Sequence, residues 1–233
     1  MRRLGNNLFE YAADWCFPKV CLGCGTDGCL LCPHCRLSLE WRIRRICPVC
    51  HRELPAGEKC HNSLLAGLWS LSPYGGLMTK LIKDFKYNGV TSLADEVFRE
   101  GLGKFLALKP ALPGNSVIVP VPLHHDKFLR RGFNQAESLA MILGDSLELP
   151  IAVDLLKRKI NNKPQAQQGF EERSKNVQGI FTVDYRHLSD YWGRPILLVD
   201  DVYTTGSTVG ECAKELAAAG FRDISAITLA FGG

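Results

Sequence analysis

The sequence predicts an α/β domain built on a parallel sheet with helices on both faces, preceded by a small cysteine-rich module that needs a metal to fold. Three observations predict it. Downstream of residue 63 apolar strands alternate with amphipathic helices, the pattern of a parallel sheet. One strand, PILLVDD, is apolar without a break until Asp200, as befits a central strand covered on both faces. Upstream, nine of the ten cysteines fall between Cys16 and Cys60. Two units are therefore expected, 1–63 and 64–233.

The first residues, MRRLGNNLFEYAADWCF, place Leu4, Leu8 and Trp15 on one face of a helix. They lack an apolar h-region and carry Glu10 and Asp14, so they do not read as a secretory signal. No stretch approaches the ~20 apolar residues of a membrane span. A reducing, cytoplasmic setting is expected, where clustered thiols point to metal rather than to disulfides. CLGC at 21–24, CPHC at 32–35 and CPVC at 47–50 are three CxxC knuckles. Each presents two thiolates to one ion, and two knuckles complete a tetrahedral Zn²⁺ site. The first expected site is Cys21, Cys24, Cys32 and Cys35. Crossed pairing of Cys21 and Cys24 with Cys47 and Cys50 stays an alternative.

In the second unit, LMTKLIKDFKY has helical spacing at Leu77, Leu81 and Phe85, and LADEVFREGLGKFLAL continues as helix. SVIVPVP is a buried strand ending at prolines. After it comes a basic stretch, read as a loop, with His124, His125, Lys127, Arg130 and Arg131. NQAESLAMILGDSL is an amphipathic helix carrying Ala136, Leu139, Ala140 and Leu143. The polar segment LLKRKINNKPQAQQGFEERSKNVQGIF reads as a long loop, and such a loop inside a compact domain is usually functional or disordered. GIFTV and PILLVD are strands. STVGECAKELAAAG is a helix stopped by Gly220, and ISAITLAF is the last strand.

The most informative stretch is ILLVDDVYTTGST, residues 196–208. Ligands of open α/β sheets bind beyond the carboxyl ends of the strands, where Asp200 and Asp201 stand. TTGST then leads into a helix. Small residues and a glycine let successive N–H groups converge, and the helix N-terminus adds partial positive charge: an anion cradle. Thr204, Thr205, Ser207 and Thr208 add hydroxyls. The carboxylates would repel a phosphate, so they are aimed elsewhere. Ribose hydroxyls are the natural target, and Mg²⁺ could be shared with them. Ordinary capping would explain one hydroxyl and one carboxylate, not the whole string. A Walker A loop is excluded, because GxxxxGK[ST] is missing.

ILLVDDVYTTGST resembles the phosphoribosyl pyrophosphate signature of type I phosphoribosyltransferases. That resemblance implies that Asp200 and Asp201 hold ribose hydroxyls and that the segment Val202, Tyr203, Thr204, Thr205, Gly206, Ser207 and Thr208 binds the ligand, with Thr204 to Thr208 on the 5-phosphate. It further implies a pyrophosphate contact from the basic stretch, Arg131 above all, and a mobile cover from the polar segment. The order of CxxC cluster, FKYNG, VPVPLH, RGFNQ, KPQAQQ with ERSKNV, and LLVDDVYTTGST resembles the ComF family over nearly the whole chain. The family resemblance implies a double zinc ribbon with a fourth CxxC. Here Ser63 stands where that cysteine would be. A second site would then hold Cys47, Cys50 and Cys60, completed by His61 or His51, so one or two structural Zn²⁺ are expected. The residues themselves leave the chemistry of Phe85, Lys86 and Tyr87 open.

Two functions follow. The family resemblance implies a protein of natural transformation that binds phosphoribosyl pyrophosphate or a related ribose phosphate with Mg²⁺ and handles single-stranded DNA beside the DNA-uptake machinery. Basic groups including Arg42, Arg44 and Arg45 would track phosphates, with Trp41 or Phe133 for stacking. The alternative is an active phosphoribosyltransferase of nucleotide salvage or synthesis. No general base is evident, so turnover is left open, and the net charge of +4 demands no nucleic acid.

Overall fold

A computed structural model of the chain describes residues 19–55, 58–87, 91–110, 112–159 and 179–232. The expected N-terminal helix, Cys16, and the centre of the polar segment with Lys163, Gln165, Gln168, Arg173 and Asn176 lie outside the described residues.

In chain order the elements are α1 (Pro33–Leu37), β1 (Arg44–Ile46), β2 (Leu65–Pro73), α2 (Gly76–Tyr87), α3 (Thr91–Ala107), β3 (Val117–Pro120), α4 (His125–Arg131) and α5 (Gln135–Leu147). They continue with β4 (Leu156–Arg158), β5 (Phe181–Val183), a 3-10 turn at Tyr185–His187, α6 (Leu188–Tyr191), β6 (Ile196–Tyr203), α7 (Ser207–Ala218) and β7 (Ile224–Phe231). The main sheet runs β1-β2-β7-β6-β3. β2, β7, β6 and β3 are parallel, so their carboxyl ends share one edge of the sheet, and β1 adds antiparallel to β2. The expected α/β sheet is present.

The apolar run of β6 is buried on both faces. Ile196 and Leu198 belong to one core, with Val209, Cys212, Ala213 and Leu216 of α7 and with Phe181 of β5. Leu197 and Val199 belong to the other, with Ile82 and Phe85 of α2, Phe98 and Phe105 of α3, and Leu139 and Leu143 of α5. Alternate residues of a strand point to opposite faces, which is why a strand between two helical layers reads as continuously apolar.

Two helix ends have local causes, and the second was expected. Asn134 caps α5 by accepting the Ala136 N–H at 3.1 Å. α7 closes with Gly220 at φ +103°. The Phe221 N–H donates to Leu216 O at 3.1 Å and the Gly220 N–H to Ala217 O at 3.0 Å, the paired bonds of a Schellman cap.

Three features depart from the sequence reading. The basic stretch after β3 is not a loop: His125–Arg131 is helical, held between a His124 cap and Gly132 at φ +77°. The start of the polar segment is also not loop, because Leu156–Arg158 pairs antiparallel with Phe181–Val183. β2 was absent from the periodic elements because LAGLWSLSP mixes serines, glycine and proline with its apolar residues. Ser70 and Ser72 are nonetheless buried. Their hydroxyls find backbone acceptors, Ser70 at Ser72 O and Ser72 at Glu40 O, so the strand tolerates them.

Candidate phosphate cleft and metal centres

The site forms where β6 and β3 end. β6 does not stop at the aspartates; it runs through Asp200 and Asp201 to Tyr203. Successive strand residues face opposite ways, and so do these two carboxylates. Asp201, 8% exposed, turns toward α2, where the Lys86 Nζ lies 2.6 Å from its Oδ2. Asp200 turns toward α7, where its charge, after burial, helps hold the Cys212 thiol far above its ordinary value. The Asp200 Oδ1 accepts the Asp201 backbone N–H at 2.8 Å. Burial, then the neighbouring Asp201 charge, push the Asp200 carboxyl up to about 8, against the pull of that N–H and of Lys86. Protein thus compensates Asp201, whereas Asp200 sits where a proton or a hydroxyl-bearing ligand is favoured.

Beyond Tyr203 the chain bends through Thr204, Thr205 and Gly206 into α7. Thr204 and Thr205 are exposed. The Thr205 and Ser207 hydroxyls lie 2.8 Å apart, and the Ser207 N–H reaches Thr205 Oγ1 at 3.4 Å. Gly206, at φ +76°, takes the left-handed conformation, and a Cβ there would overlap the Tyr203 hydroxyl. Gly206 at the N-cap has no side chain to offer, so beyond the Ser207 N–H that Thr205 holds, the next N–H groups at the start of this twelve-residue helix have no side-chain cap.

The opposite wall comes from β3 and α4. Asn134 Nδ2 donates to Val121 O at 3.1 Å, pinning RGFNQ to the end of β3. Arg131 Nη1 donates to Gln135 Oε1 at 2.9 Å. Positive charge converges here. Burial, then Arg158, Arg131 and Lys86 in turn, lower the Lys127 ammonium, while Asp201 raises it. Burial and Arg158 likewise lower His124, whose Nδ1 accepts the Asp126 N–H at 3.2 Å. His124 is a neutral cap. Lys86, Lys127, Arg131 and Arg158 are therefore a cluster of like charges around one cleft, the arrangement an anionic ligand relieves.

Several expectations change here. Tyr203 is buried and its hydroxyl donates to Pro48 O at 3.0 Å, and Val202 packs against the α2 core. Trp41 is not a free stacking surface. Its indole N–H donates to Glu100 Oε1 at 2.9 Å, and its ring lies against Gly101. Phe133 packs on Phe85 at 5.4 Å. Arg45 ties Pro55 O, Glu58 O and Ala66 O together, and Arg44 lies over the Phe231 ring. On α4, Phe128 is 43% exposed. Lys86 is the site residue that sequence reasoning could not place, because its partner is on another element; the aromatic-flanked lysine of FKYNG was the available signal.

The cysteines gather into two groups. Cys21, Cys24, Cys32 and Cys35 form one and Cys47, Cys50, Cys60 and His61 the other, each with ligand atoms within 4.8 Å of one another. The pairing is uncrossed, and His61 rather than His51 completes the second. Tetrahedral Zn²⁺ with Zn–S of about 2.3 Å separates sulfurs by about 3.8 Å. Cys24 and Cys32 Sγ lie 3.7 Å apart and Cys50 and Cys60 Sγ 3.5 Å, with Cys60 Sγ 3.0 Å and Cys47 Sγ 3.4 Å from His61 Nδ1. These are metal spacings, not disulfides of about 2.05 Å. The Cys32 backbone N–H, then that of Cys24, lower the Cys21 thiol to about 6. Burial opposes but does not reverse the N–H groups of Cys50 and Val49, which help bring Cys47 to about 6. One thiolate in each group is thus favoured without an ion, whereas burial pushes Cys35 up to about 12, and Cys47, then burial, push Cys60 up to about 11. Gly23 admits the Cys35 sulfur where a Cβ would stand. Both sets fit structural Zn²⁺. Among the described residues no helix is long and apolar enough to cross a membrane.

A parallel sheet with paired aspartates at a strand end, a hydroxyl-rich glycine loop and a ring of cations defines a phosphoribosyltransferase-type domain. Residues 128–233 match the phosphoribosyl transferase domain family. Similar proteins extend the match over most of the chain. Competence protein F of Haemophilus influenzae is 28% identical, covering 91% of this chain and 90% of its own. Competence protein ComFC of Bacillus subtilis is 28% identical over 85% and 83%. DNA utilization protein YhgH of Salmonella typhi is 30% identical over 80% and 83%. The chain belongs to the ComF family.

Proposed function

We propose that the cleft binds phosphoribosyl pyrophosphate or a related ribose phosphate, and that the protein serves DNA uptake by handling single-stranded DNA in the cytoplasm. The carrying observation is the juxtaposition at the end of β6: a helix N-terminus and hydroxyl loop for phosphate, Asp200 and Asp201 for ribose hydroxyls, and Lys86, Lys127, Arg131 and Arg158 for further phosphate charge. Val202 and Tyr203 then contribute backbone and support, and Thr204, Thr205, Gly206, Ser207 and Thr208 the cradle. Mg²⁺ would accompany the ligand's phosphates and offset their charge beside the aspartates.

Two further observations support the DNA role. Relatives are named for competence and DNA utilization. In addition, α4 buries none of its residues, carries Lys127, Arg130 and Arg131, and exposes Phe128 and Leu129. Cations interleaved with an exposed aromatic suit a single strand, and such binding weakens with salt. We place the division between the metal-binding module, 1–63, and the phosphoribosyltransferase-like domain, 64–233, at the turn before β2. β1 carries the backbone of the first unit onto the sheet of the second.

Calorimetry with phosphoribosyl pyrophosphate and Mg²⁺, on wild type and on Asp200→Asn with Asp201→Asn, tests the cleft. Wild type is expected to bind and the double variant to lose binding, while single-stranded DNA affinity is unchanged or higher because negative charge is removed. No binding by folded, zinc-loaded wild type would exclude the ribose-phosphate reading.

A further inference from the structure

Tyr203 is the last residue of β6, and its hydroxyl is wedged between two parts of the molecule. On one side it donates to Pro48 O at 3.0 Å. Pro48 follows Cys47 in the knuckle of the second cysteine cluster. On the other side Gly206 of the phosphate loop passes so close that a Cβ would overlap that hydroxyl. The contact is broadened by rings. His51, just beyond the knuckle, meets Tyr203 edge-on at 5.8 Å and Phe231 at 5.3 Å, and Tyr203 stacks on Phe231 at 6.0 Å. The Gly232 N–H donates to Tyr203 O at 2.8 Å, locking the strand end. The first cluster leans elsewhere, on α3, through Arg36 to Glu96 and Glu100.

We propose that Tyr203 is a positioning residue through which the Cys47–Cys50–Cys60–His61 cluster sets the conformation of the phosphate loop, so that a metal in that cluster and an anion in that loop stabilise one another. The proposal rests on the ribose-phosphate reading of the loop. The physical chain is short. A metal knuckle of this size has no apolar core and takes its shape from the ion. Where Pro48 O points depends on that shape. A buried hydroxyl that loses its acceptor is unfavourable, so Tyr203 follows Pro48 O, and Gly206, in contact with the same hydroxyl, follows Tyr203. Coupling between two binding events is reciprocal. A ligand that orders the loop must therefore hold the second metal more tightly and leave the first unaffected.

The test uses the full zinc-loaded chain. Zinc release to a chromophoric chelator is followed with and without saturating phosphoribosyl pyrophosphate and Mg²⁺, and affinity for that ligand is measured by calorimetry. In wild type the ligand is expected to slow release of one zinc several-fold and leave the other unchanged. Tyr203→Phe keeps the ring contacts and removes only the hydroxyl. It is expected to weaken the ligand roughly three- to tenfold and to abolish the protection of zinc, a readout that a merely structural tyrosine would not move. Cys50→Ser, which removes a ligand of that cluster, is expected to weaken binding similarly and serves alone if Tyr203→Phe does not fold. Equal ligand affinity in wild type and variants, or zinc release indifferent to ligand, overturns the coupling and leaves the cleft reading standing. Absence of ligand binding in wild type overturns both. Zinc found only at the first cluster also overturns the coupling.

Discussion

At the scale of single residues, the adjacent Asp200 and Asp201 are tolerated because a strand sends them to opposite faces and treats them differently. Asp201 has Lys86 at 2.6 Å; Asp200 is held up to about 8 by burial and by Asp201. A carboxyl whose folded value lies above its unfolded value of about 3.9 binds its proton more tightly in the native state. Its contribution is therefore complete below about pH 4 and fades as pH rises through about 8. Asp200→Asn does not titrate. Melting temperatures from pH 5 to pH 8 are expected to fall more steeply for ligand-free wild type than for this variant, and parallel slopes would count against the assignment.

At the scale of elements, the helix α7 matters because it carries the phosphate loop at one end and must be stopped cleanly at the other. Gly220, at φ +103°, does the stopping, and a Cβ there would lie 2.6 Å from the Trp192 ring. Gly220→Ala is expected to destabilise the fold by about 1–2 kcal/mol through left-handed strain and that contact, read by urea denaturation with an unchanged m-value. α4 shows the opposite economy. With no buried residue, a seven-residue helix has little intrinsic stability and stands on its His124 and Gly132 caps. Its helicity was illegible in a stretch of histidines and cations, because capping geometry rather than apolar period holds it. β4 was hidden in the same way: LKR is stapled to β5 by pairing and by Asp184, whose carboxylate meets Arg186 and Lys157 at 2.6 Å each.

At the scale of the whole molecule, the cysteine module is built into the domain at several points: β1 on the sheet edge, Arg36 on α3, and Pro48 on Tyr203. Loss of metal should therefore reach beyond the module. Native mass spectrometry of the intact chain is expected to show two zinc ions. Removing them with a strong chelator is expected to lower the melting temperature of the whole cooperative transition rather than to add a separate early one; a separate early transition would show the module to be energetically independent.

By itself the sequence determined what repeats over short distances. The strand–helix alternation, the Gly220 helix stop, the loop after Asp201 and the CxxC knuckles are all set by residues within a few positions of each other, where propensity and ligand spacing act. Only the tertiary structure decided which knuckles pair, that His61 rather than His51 completes the second group, that Lys86 meets Asp201, and that Trp41 and Phe133 pack while Phe128 stays exposed. It alone showed Tyr203 facing Pro48, 155 positions away. Such contacts depend on how separate elements are docked by burial of their apolar faces, and no local pattern of residues encodes where a distant partner will land.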